Sequence, residues 1–467
     1  MRLLLPPLLS FLGLTLCLMP VNSGLLSAKG TDKPTTLVFP TFLHTMGIRK
    51  ATKFHLMLYT RNKVKVRSPE GLAVARLKSW DDPENKKDDD EVTGYGVNSG
   101  ANVIIYNKSM TSLGFYGLNE QGRRRLNRPT GIAANERGDV YVADTGNHRI
   151  VRLFNPKQNL TFVTEIGGRG GENGRFESPQ GVAVDVAGTL YVTDTGNHRV
   201  EVFDSNNIFK SSFGTRGTGD GELSFPTGIA VTSREDRWSH YKDSFLVIVD
   251  LGGERLQQFS LDGRFLKSGR AADFFGTSGL LKYVAIDYYS NIWVTDMRNH
   301  CVHKFDRHLN YLTSFGKKGT GDREFMEPRG IAIYKRFGQV FIAERESAQY
   351  YWIGTDIKDL RATFRNGQTR LHFFLTEPSY ITLTVAGVGE KIRVQSFKRL
   401  KRFSGPQNLM LNSQWQIGQT QAARTGQKGA APFSAFPGKY RLLLTIEPTY
   451  SSARYFSKEV ETSVSIP

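Results

Sequence analysis

Residues 179–203 read PQGVAVDVAGTLYVTDTGNHRVEVF, and this stretch decides the fold. A Pro-x-Gly turn leads into a short apolar run, and a second run then alternates apolar and polar residues. The turn Asp194-Thr-Gly-Asn-His-Arg199 leads into a third run, and a fourth ends at Phe213-Gly214. Period-two alternation bounded by turn residues predicts short β-strands. The stretch therefore begins a unit of four antiparallel strands.

The same order of strands and turns returns along the chain at a regular spacing. Copies of the Pro-x-Gly turn begin at Pro69, Pro129, Pro179, Pro226 and Pro328, and a degenerate copy begins at Leu281. Successive copies are 60, 50, 47, 55 and 47 residues apart. Repeats of this length with four strands each are typical of β-propeller blades. Six copies predict an all-β, six-bladed ring, which leaves no open sheet edge between neighbours.

The repeats resemble the NHL family, on the triplets Asn147-His-Arg149, Asn197-His-Arg199 and Asn299-His-Cys301. The resemblance implies a six-bladed NHL-like propeller over residues 68–355. Residues 24–67 are expected to supply the strand that closes the ring, from the strand-like region 54–66; a separate hairpin is the alternative. Because propellers include enzymes, binding modules and scaffolds, the resemblance implies a fold and not one activity.

Residues 356–467 do not carry the repeat, and their alternating apolar and polar residues predict a basic, Ig-like antiparallel β-sandwich. Its strand candidates are Arg370–Leu375, Tyr380–Val385, Lys391–Val394 and Tyr440–Ile446. The order Thr376-Glu-Pro, Ile381–Val385, Trp415 and Pro437-Gly-Lys-Tyr440-Arg resembles Ig-like modules of the flagellar hook-capping type, which occur in exported bacterial proteins.

The first residues predict export. Arg2 is the only charge before a Leu-rich run over 3–19, and small residues precede Gly24. Residues 1–23 are therefore predicted to be a signal peptide, and the mature chain to be secreted, periplasmic or at the cell surface, with no transmembrane segment. A lipid on Cys17 and a retained anchor are the alternatives. Cys301 is then the one cysteine of the mature chain, which excludes a disulfide framework and a Cys-rich zinc site.

The net charge points to anionic partners. The chain has 62 lysines and arginines against 44 acidic residues, a formal charge of +18. Residues 356–467 hold 16 of these cations against 7 acidic residues, and six of them lie between positions 391 and 402. We expect Lys398, Arg399, Lys401 and Arg402 to contact an anionic surface; a solvated strand face is the alternative. Nucleic acid is not an expected partner of an exported protein.

Two insertions interrupt the repeat between the first and second strands of a blade. Lys78–Glu91 lies in blade 1 and Ser233–Asp243 in blade 4, so both should project from one face. Trp80, Trp238 and His240 are the candidate contacts for a protein or glycan ligand. The acidic run of 81–91 offers oxygen ligands for calcium but lacks the glycine of an EF-hand loop. No cofactor is predicted, and calcium is the alternative.

The repeated turn residues are interpreted as structural. Carboxylates recur at one repeat position and arginines five residues later, so each pair can hold its own tight turn. The carboxylates are Asp144, Asp194, Asp250 and Asp296, and the arginines are Arg149, Arg199 and Arg255. His148, His198 and His300 are equivalent by repeat, and each is expected to support its turn; joint metal coordination is the alternative.

The function predicted from these features is an exported, monomeric binding or scaffold protein without catalytic residues. The alternative is a metal-dependent lyase or hydrolase, resembling amidating lyases or lactonases, with its site in the central channel. Asp185 and Asp287 are the only acidic residues directly after the aliphatic first strands. This scarcity of metal ligands favours the binding interpretation.

Overall fold

A computed structural model describes residues 26–29, 34–40, 50–60, 63–80, 92–109, 112–157, 159–387, 393–412 and 437–467. The predicted signal peptide, the acidic run of 81–91, Lys391 and Trp415 lie outside these residues, and so does the side chain of Trp80. Four elements precede the repeats: β1 (Leu26–Lys29), β2 (Leu37–Val38), β3 (Lys50–Ala51) and helix α1 (Lys53–Tyr59).

Blades 1 to 3 are four-stranded antiparallel sheets whose strands follow one another in chain order. Blade 1 holds β4 (Pro69–Arg76), β5 (Val92–Asn98), β6 (Val103–Ser109) and β7 (Ser112–Tyr116). Blade 2 holds β8 (Ile132–Ala134), β9 (Asp139–Asp144), β10 (Arg149–Phe154) and β11 (Thr161–Gly167). Blade 3 holds β12 (Val182–Val184), β13 (Leu190–Asp194), β14 (Arg199–Phe203) and β15 (Phe209–Phe213).

Blades 4 and 5 repeat this arrangement, and blade 6 contributes three strands from its own repeat. Blade 4 holds β16 (Ile229–Thr232), β17 (Phe245–Asp250), β18 (Arg255–Phe259) and β19 (Phe265–Arg270), which is followed by helix α2 (Ala271–Phe275). Blade 5 holds β20 (Leu281–Ile286), β21 (Ile292–Asp296), β22 (Cys301–Phe305) and β23 (Tyr311–Phe315). Blade 6 holds β24 (Ile331–Tyr334), β25 (Gln339–Ala343) and β26 (Ala348–Ile353). Single 3-10 turns lie at Lys78–Trp80, Ser99–Ala101, Gly122–Arg124, Thr145–Asn147, Thr195–Asn197, Leu251–Gly253 and Ser451–Arg454.

The six first strands close a ring. They contact each other in the order β4, β8, β12, β16, β20, β24 and again β4. At the five junctions from blade 1 to blade 6, buried apolar side chains of adjacent blades share a cluster, so the sheets pack face to face. Because the strands alternate in direction, the Pro-x-Gly turns and the turns between second and third strands share one face, here called the turn face. The loops between first and second strands lie on the other, the insertion face.

The ring closes through the N-terminal segment, as expected, but through a different stretch of it. Strand β2 pairs antiparallel with β26, with Leu37 opposite Ile353, and β3 pairs with the other end of β26. The predicted strand at 54–66 is wrong: residues 53–59 form α1, and 64–67 have no regular structure. The run Phe54-His-Leu-Met-Leu-Tyr59 contains no β-branched residue, and leucine and methionine favour a helix.

The C-terminal residues form two sheets around one apolar core, which is a β-sandwich. One sheet has the order β1, β33 (Phe456–Ile466), β32 (Gly438–Pro448), β29 (Ser379–Gly387) and β30 (Arg393–Arg402). The other has the order β27 (Ile357–Arg365), β28 (Gln368–Leu375) and β31 (Gly405–Leu411). Sequence analysis missed β27, β31 and β33. The likeness of this sandwich to hook-capping modules stays a prediction.

A buried ion pair joins the sandwich to the propeller. Lys304 of β22 and Glu377, which follows β28, are both fully buried and pair with each other. The Lys304 ammonium also donates to the backbone oxygen of Thr376 (2.9 Å) and lies 4.7 Å from the Trp293 ring centroid. A second buried pair joins Lys458 of β33 to Asp356. Removing one partner would leave the other charge buried, which typically costs about 3–5 kcal/mol.

The Pro-x-Gly glycines generate a first prediction. A Cβ added at Gly181 would lie 2.1 Å from the backbone oxygen of Thr227 in the next blade. Such a contact forces adjacent blades apart, and overpacking of this kind costs about 1–3 kcal/mol. We expect Gly181→Ala to lower the free energy of unfolding in urea by that amount. Gly387→Ala is the matched control, because its Cβ would meet nothing within 4 Å; equal losses in both variants would contradict the explanation.

Candidate functional site

A cleft of about 340 Å³ opens at the centre of the insertion face. Its wall is formed where the first strands of blades 1, 2, 3, 4 and 6 end, and by the insertion of blade 4. Six of the surrounding side chains are cationic and four are acidic. The cations are Arg76, Lys78, Arg137, Arg237, Lys335 and Arg336, and the acids are Glu136, Asp139, Asp185 and Asp236. The excess of positive charge favours an anionic group in this cleft.

The blade 4 insertion lies across this cleft instead of projecting freely. Arg237 Nη2 lies 3.1 Å from the Glu136 carboxylate of blade 2. Lys335 Nζ of blade 6 lies 2.8 Å from Asp236. On the other side, the His240 backbone N–H donates to the oxygen of Tyr288 in blade 5 (2.8 Å). Contacts to three different blades hold the insertion in one position.

Trp238 of the insertion lines this cleft. The guanidinium carbons of Arg237 and Arg336 lie 5.1 and 4.9 Å from its ring centroid, within cation–π range. The indole Nε1 is buried and has no hydrogen-bond acceptor within the described residues. A half-buried ring beside two guanidinium groups can stack on a flat group of a ligand, and the guanidinium groups can bind an anionic one.

His240, in contrast, lies at a junction with the sandwich. Its ring centroid is 5.0 Å from that of Tyr289 and 6.0 Å from that of Phe403, which follows β30. Burial, with the nearby Lys401 ammonium, lowers its pKa. His240 therefore serves mainly to pack the insertion against the sandwich.

The four sandwich cations that were predicted to act together lie in different environments. Arg399 pairs with Glu447 and lies 4.4 Å from the Tyr380 ring centroid. Lys401 lies over the rings of Tyr289 and Phe403, at the junction with the propeller. Burial lowers the pKa of Arg402, whereas Lys398 is exposed on the edge strand β30. Only part of the predicted cluster is thus open to an anionic surface.

The opposite mouth of the channel holds a polar group that sequence analysis missed. Tyr283 stands where the other blades have the Pro-x-Gly glycine, and its hydroxyl donates to Glu70 of blade 1 (3.0 Å). Arg329 of blade 6 bonds the same carboxylate at 2.8 Å, and the Lys282 ammonium lies 4.0 Å from it. Glu70, Lys282 and Arg329 occupy the middle of a Pro-x-Gly turn or its equivalent. That shared position is the signal that could have found Glu70.

The two acidic residues considered for the channel have different roles. Asp287 is fully buried, and its carboxylate accepts hydrogen bonds from the backbone of Tyr289 and the side chains of Asn291 and Trp293. These hydrogen bonds use the Asp287 carboxylate to stabilise the turn in which it lies. Asp185 lies at the cleft of the insertion face. Within the described ranges, no three side chains among His, Cys, Asp and Glu are grouped to hold a metal ion.

The repeated turn residues bond to one another inside each blade. Asp144 accepts from Arg149 Nε at 2.8 Å, Asp194 from Arg199 Nε at 2.9 Å, and Asp250 from Arg255 Nε at 3.1 Å. The histidines bond the following blade instead. Nδ1 of His148, His198 and His300 accepts the backbone N–H of Ser178 (3.1 Å), Phe225 (3.2 Å) and Glu327 (3.0 Å), respectively. These sets stabilise turns and blade contacts.

Blade 5 replaces the arginine by a thiol and brings together Cys301, His303 and Asp296. His303 Nε2 lies 3.6 Å from the Cys301 sulfur and 3.1 Å from the Asp296 carboxylate. The thiol and the carboxylate share Nε2, and the other ring nitrogen, Nδ1, lies 2.7 Å from the Ser314 hydroxyl, so Cys301 does not take the place of a triad nucleophile, which faces the nitrogen opposite the carboxylate. Burial and the Asp296 charge raise the Cys301 pKa to about 12. The thiol stays protonated and is not a nucleophile.

The comparisons with known proteins agree with the fold. The NHL repeat model matches residues 126–153 and 176–203, which span most of blades 2 and 3, so the chain carries NHL repeats. No curated protein matches the sequence. No helix of the described residues is long and apolar enough to cross a membrane.

Several solved structures are similar at low identity. An inactive virginiamycin B lyase from Staphylococcus aureus with quinupristin is 13% identical, over 56% of this chain and 76% of that chain, with a TM-score of 0.40. A streptogramin B lyase is 13% identical, over 61% and 94%, with a TM-score of 0.41. Hydrazine synthase of Kuenenia stuttgartiensis is 12% identical, over 66% and 77%, with a TM-score of 0.39. Similarity at this level says nothing about activity.

Glu201 generates a prediction about pH. It is fully buried in β14, accepts the Gly174 N–H (3.1 Å), and has its pKa raised to about 7 by burial, against the attraction of Arg199. A folded pKa above the unfolded value means that the stability from this group is present below pH 4.5 and lost as the pH rises to 7. The shift corresponds to about 3 kcal/mol.

The test compares Glu201→Gln with the unaltered chain. Gln257 accepts the Gly221 N–H at the equivalent place in blade 4, so an amide fits there. We expect urea midpoints of the unaltered chain to fall relative to the variant between pH 4.5 and 7. Parallel pH profiles would show that Glu201 ionises normally in the folded protein.

The Cys301 thiol generates a second chemical prediction. It is 5% exposed, and its raised pKa keeps it in the unreactive form. In a chain lacking residues 1–23, an aromatic disulfide reagent at pH 8 should release no thiolate chromophore from folded protein, and one equivalent after unfolding. Cys301→Ser should give no signal in either state. Rapid reaction of the folded protein would contradict the buried placement.

Proposed function

We propose that this chain is an exported binding or scaffold protein that holds a protein or glycan partner at its insertion face. The observation that carries the proposal is the cationic cleft beneath the blade 4 insertion, with Trp238 between two guanidinium groups. Large aromatic and arginine side chains dominate the energetics of binding interfaces. An insertion held by ion pairs to blades 2 and 6 also loses little conformational freedom when a ligand binds.

The charge of the cleft suggests the chemistry of the bound segment. Its cations outnumber its acidic side chains, so an acidic peptide stretch or a uronate or sulfate group of a glycan fits best. The exposed Lys398, with Arg399 beside it, is a second proposed contact, to an anionic surface. Export and the absence of catalytic chemistry are parts of the same proposal.

The experiment is a binding screen of the chain lacking residues 1–23 against immobilised acidic and neutral oligosaccharides and acidic peptides. Trp238→Ala removes the ring and the support it gives to both guanidinium groups, so we expect at least a tenfold loss of affinity for any hit. Phe225→Ala is the matched control, because Phe225 is 52% exposed but lies on the turn face. If both variants bind the hit equally well, the cleft is not the binding site and this part of the proposal is wrong.

A further inference from the structure

The turn face of blade 1 carries seven exposed cations in two chain segments. Lys63, Lys65 and Arg67 precede the first strand, and the loop that leads to blade 2 supplies the other four, which are Arg123, Arg124, Arg125 and Arg128. Within the part of the chain that the structure describes, none of the seven forms an ion pair with a carboxylate. They are therefore free to attract negative charge from outside the protein.

Both segments meet at the single turn between β5 and β6. The Gly100 N–H of this turn donates to the backbone oxygen of Arg67 (2.9 Å). The side-chain oxygen of Asn102, at the end of the turn, accepts the backbone N–H of Arg128 (2.7 Å). Hydrogen bonds to one rigid turn hold the two cationic segments side by side as one surface.

Next to these cations, α1 exposes an unusual amount of apolar surface. Phe54, Met57 and Leu58 are 62%, 45% and 61% exposed, although the helix has only seven residues. A cleft of about 1000 Å³ separates α1 from the propeller, and Phe54, Met57 and Val64 form its apolar wall. Two carboxylates of blade 6 also line this cleft, and both are paired: Glu346 with Lys53 of α1 (2.8 Å) and Glu327 with Arg329 (3.6 Å). Apolar side chains and unpaired cations thus lie on the same face.

We propose that α1 and the blade 1 cations dock on the surface of an anionic lipid bilayer. Exposed apolar side chains of a short helix bury themselves at the headgroup boundary, and lysines and arginines nearby gain from anionic headgroups. Membrane binding of such a helix grows with the apolar area that it buries and with its attraction to anionic lipids, and both contributions are present here. A polyanion such as an acidic polysaccharide would use the cations but leave Phe54 and Leu58 in water. An apolar peptide would leave the cations without partners.

This attachment is independent of the proposed partner site. The bilayer would meet the turn face, and the cleft with Trp238 opens on the insertion face. A molecule docked in this way would hold its partner site away from the lipid. Loss of lipid binding and loss of partner binding are therefore separable measurements.

The experiment is co-sedimentation of the chain lacking residues 1–23 with vesicles of phosphatidylcholine alone or mixed equally with phosphatidylglycerol. We expect binding to the mixed vesicles only, and weaker binding in high salt. The triple variant Lys63→Ala/Lys65→Ala/Arg67→Ala removes three cations, each worth about 1 kcal/mol near an anionic surface. It should weaken binding about 100-fold, from the ratio of 1.4 kcal/mol per factor of ten.

The apolar arm distinguishes a bilayer from other anionic partners. Phe54→Ser/Leu58→Ser should also abolish sedimentation with the mixed vesicles, whereas Ile208→Ser should not. Ile208 is 63% exposed but lies on the insertion face, so it controls for the loss of an exposed apolar side chain. If the apolar variant binds as the unaltered chain does, the surface recognises negative charge alone and the proposal is wrong.

A charge control separates this surface from the sandwich. Lys398→Ala/Arg399→Ala removes two cations at the second proposed contact and should weaken vesicle binding less than the blade 1 variant does. If that variant loses binding and the blade 1 variant does not, attachment belongs to the sandwich and the proposal is overturned. Circular dichroism and the melting temperature of every variant verify that each one is folded.

Discussion

The ring depends on close backbone contact between adjacent blades at the Pro-x-Gly turns. In five blades a Cβ on this glycine would lie 2.1–2.7 Å from a backbone oxygen of the next blade, which no real Cβ tolerates. Each blade therefore approaches its neighbour as closely as bare backbone allows. Beside this contact, the histidine of blades 2, 3 and 5 accepts a backbone N–H of the following blade. The motif that repeats in the sequence is the set of residues that makes one blade fit the next.

That requirement explains which features sequence analysis could predict. Because the same contact forms at every junction, the residues that make it recur in every repeat. The spacing of these residues therefore predicts the number of blades, their positions and the insertions. A structural element that occurs only once in the chain has no repeated pattern that would predict it. The strand that completes blade 6 is two residues long, Leu37–Val38, and nothing in its composition separates it from the neighbouring residues. The helix at 53–59 was missed because a short apolar run has no clear period to separate a strand from a helix, and only its lack of β-branched residues pointed to the helix.

The side chains of the candidate site also differ in whether the sequence could predict them. Trp238 could be named because it stands in an insertion, and insertions are visible as breaks in the repeat. Glu70 was not named, because the middle residue of the Pro-x-Gly turn differs between the repeats, so its position and not its residue type is the signal that could have marked it. Its importance comes from Tyr283 and Arg329, which are more than 200 residues away in sequence and reach it across the channel. His240 was assigned to a ligand because its contacts with the sandwich, through Phe403, are invisible without the fold.

Residues that repeat around the ring are poor candidates for a binding site, because each copy satisfies its own blade. The aspartate and arginine of each pair neutralise each other, and the histidines accept hydrogen bonds from backbone N–H groups. Binding capacity must therefore arise where a blade departs from the repeat. Blade 4 departs by an insertion that covers the channel, and blade 1 by two cationic segments beside an apolar helix. These departures lie on opposite faces, so the same closed ring can hold two different partners without either one disturbing the contacts that keep it closed.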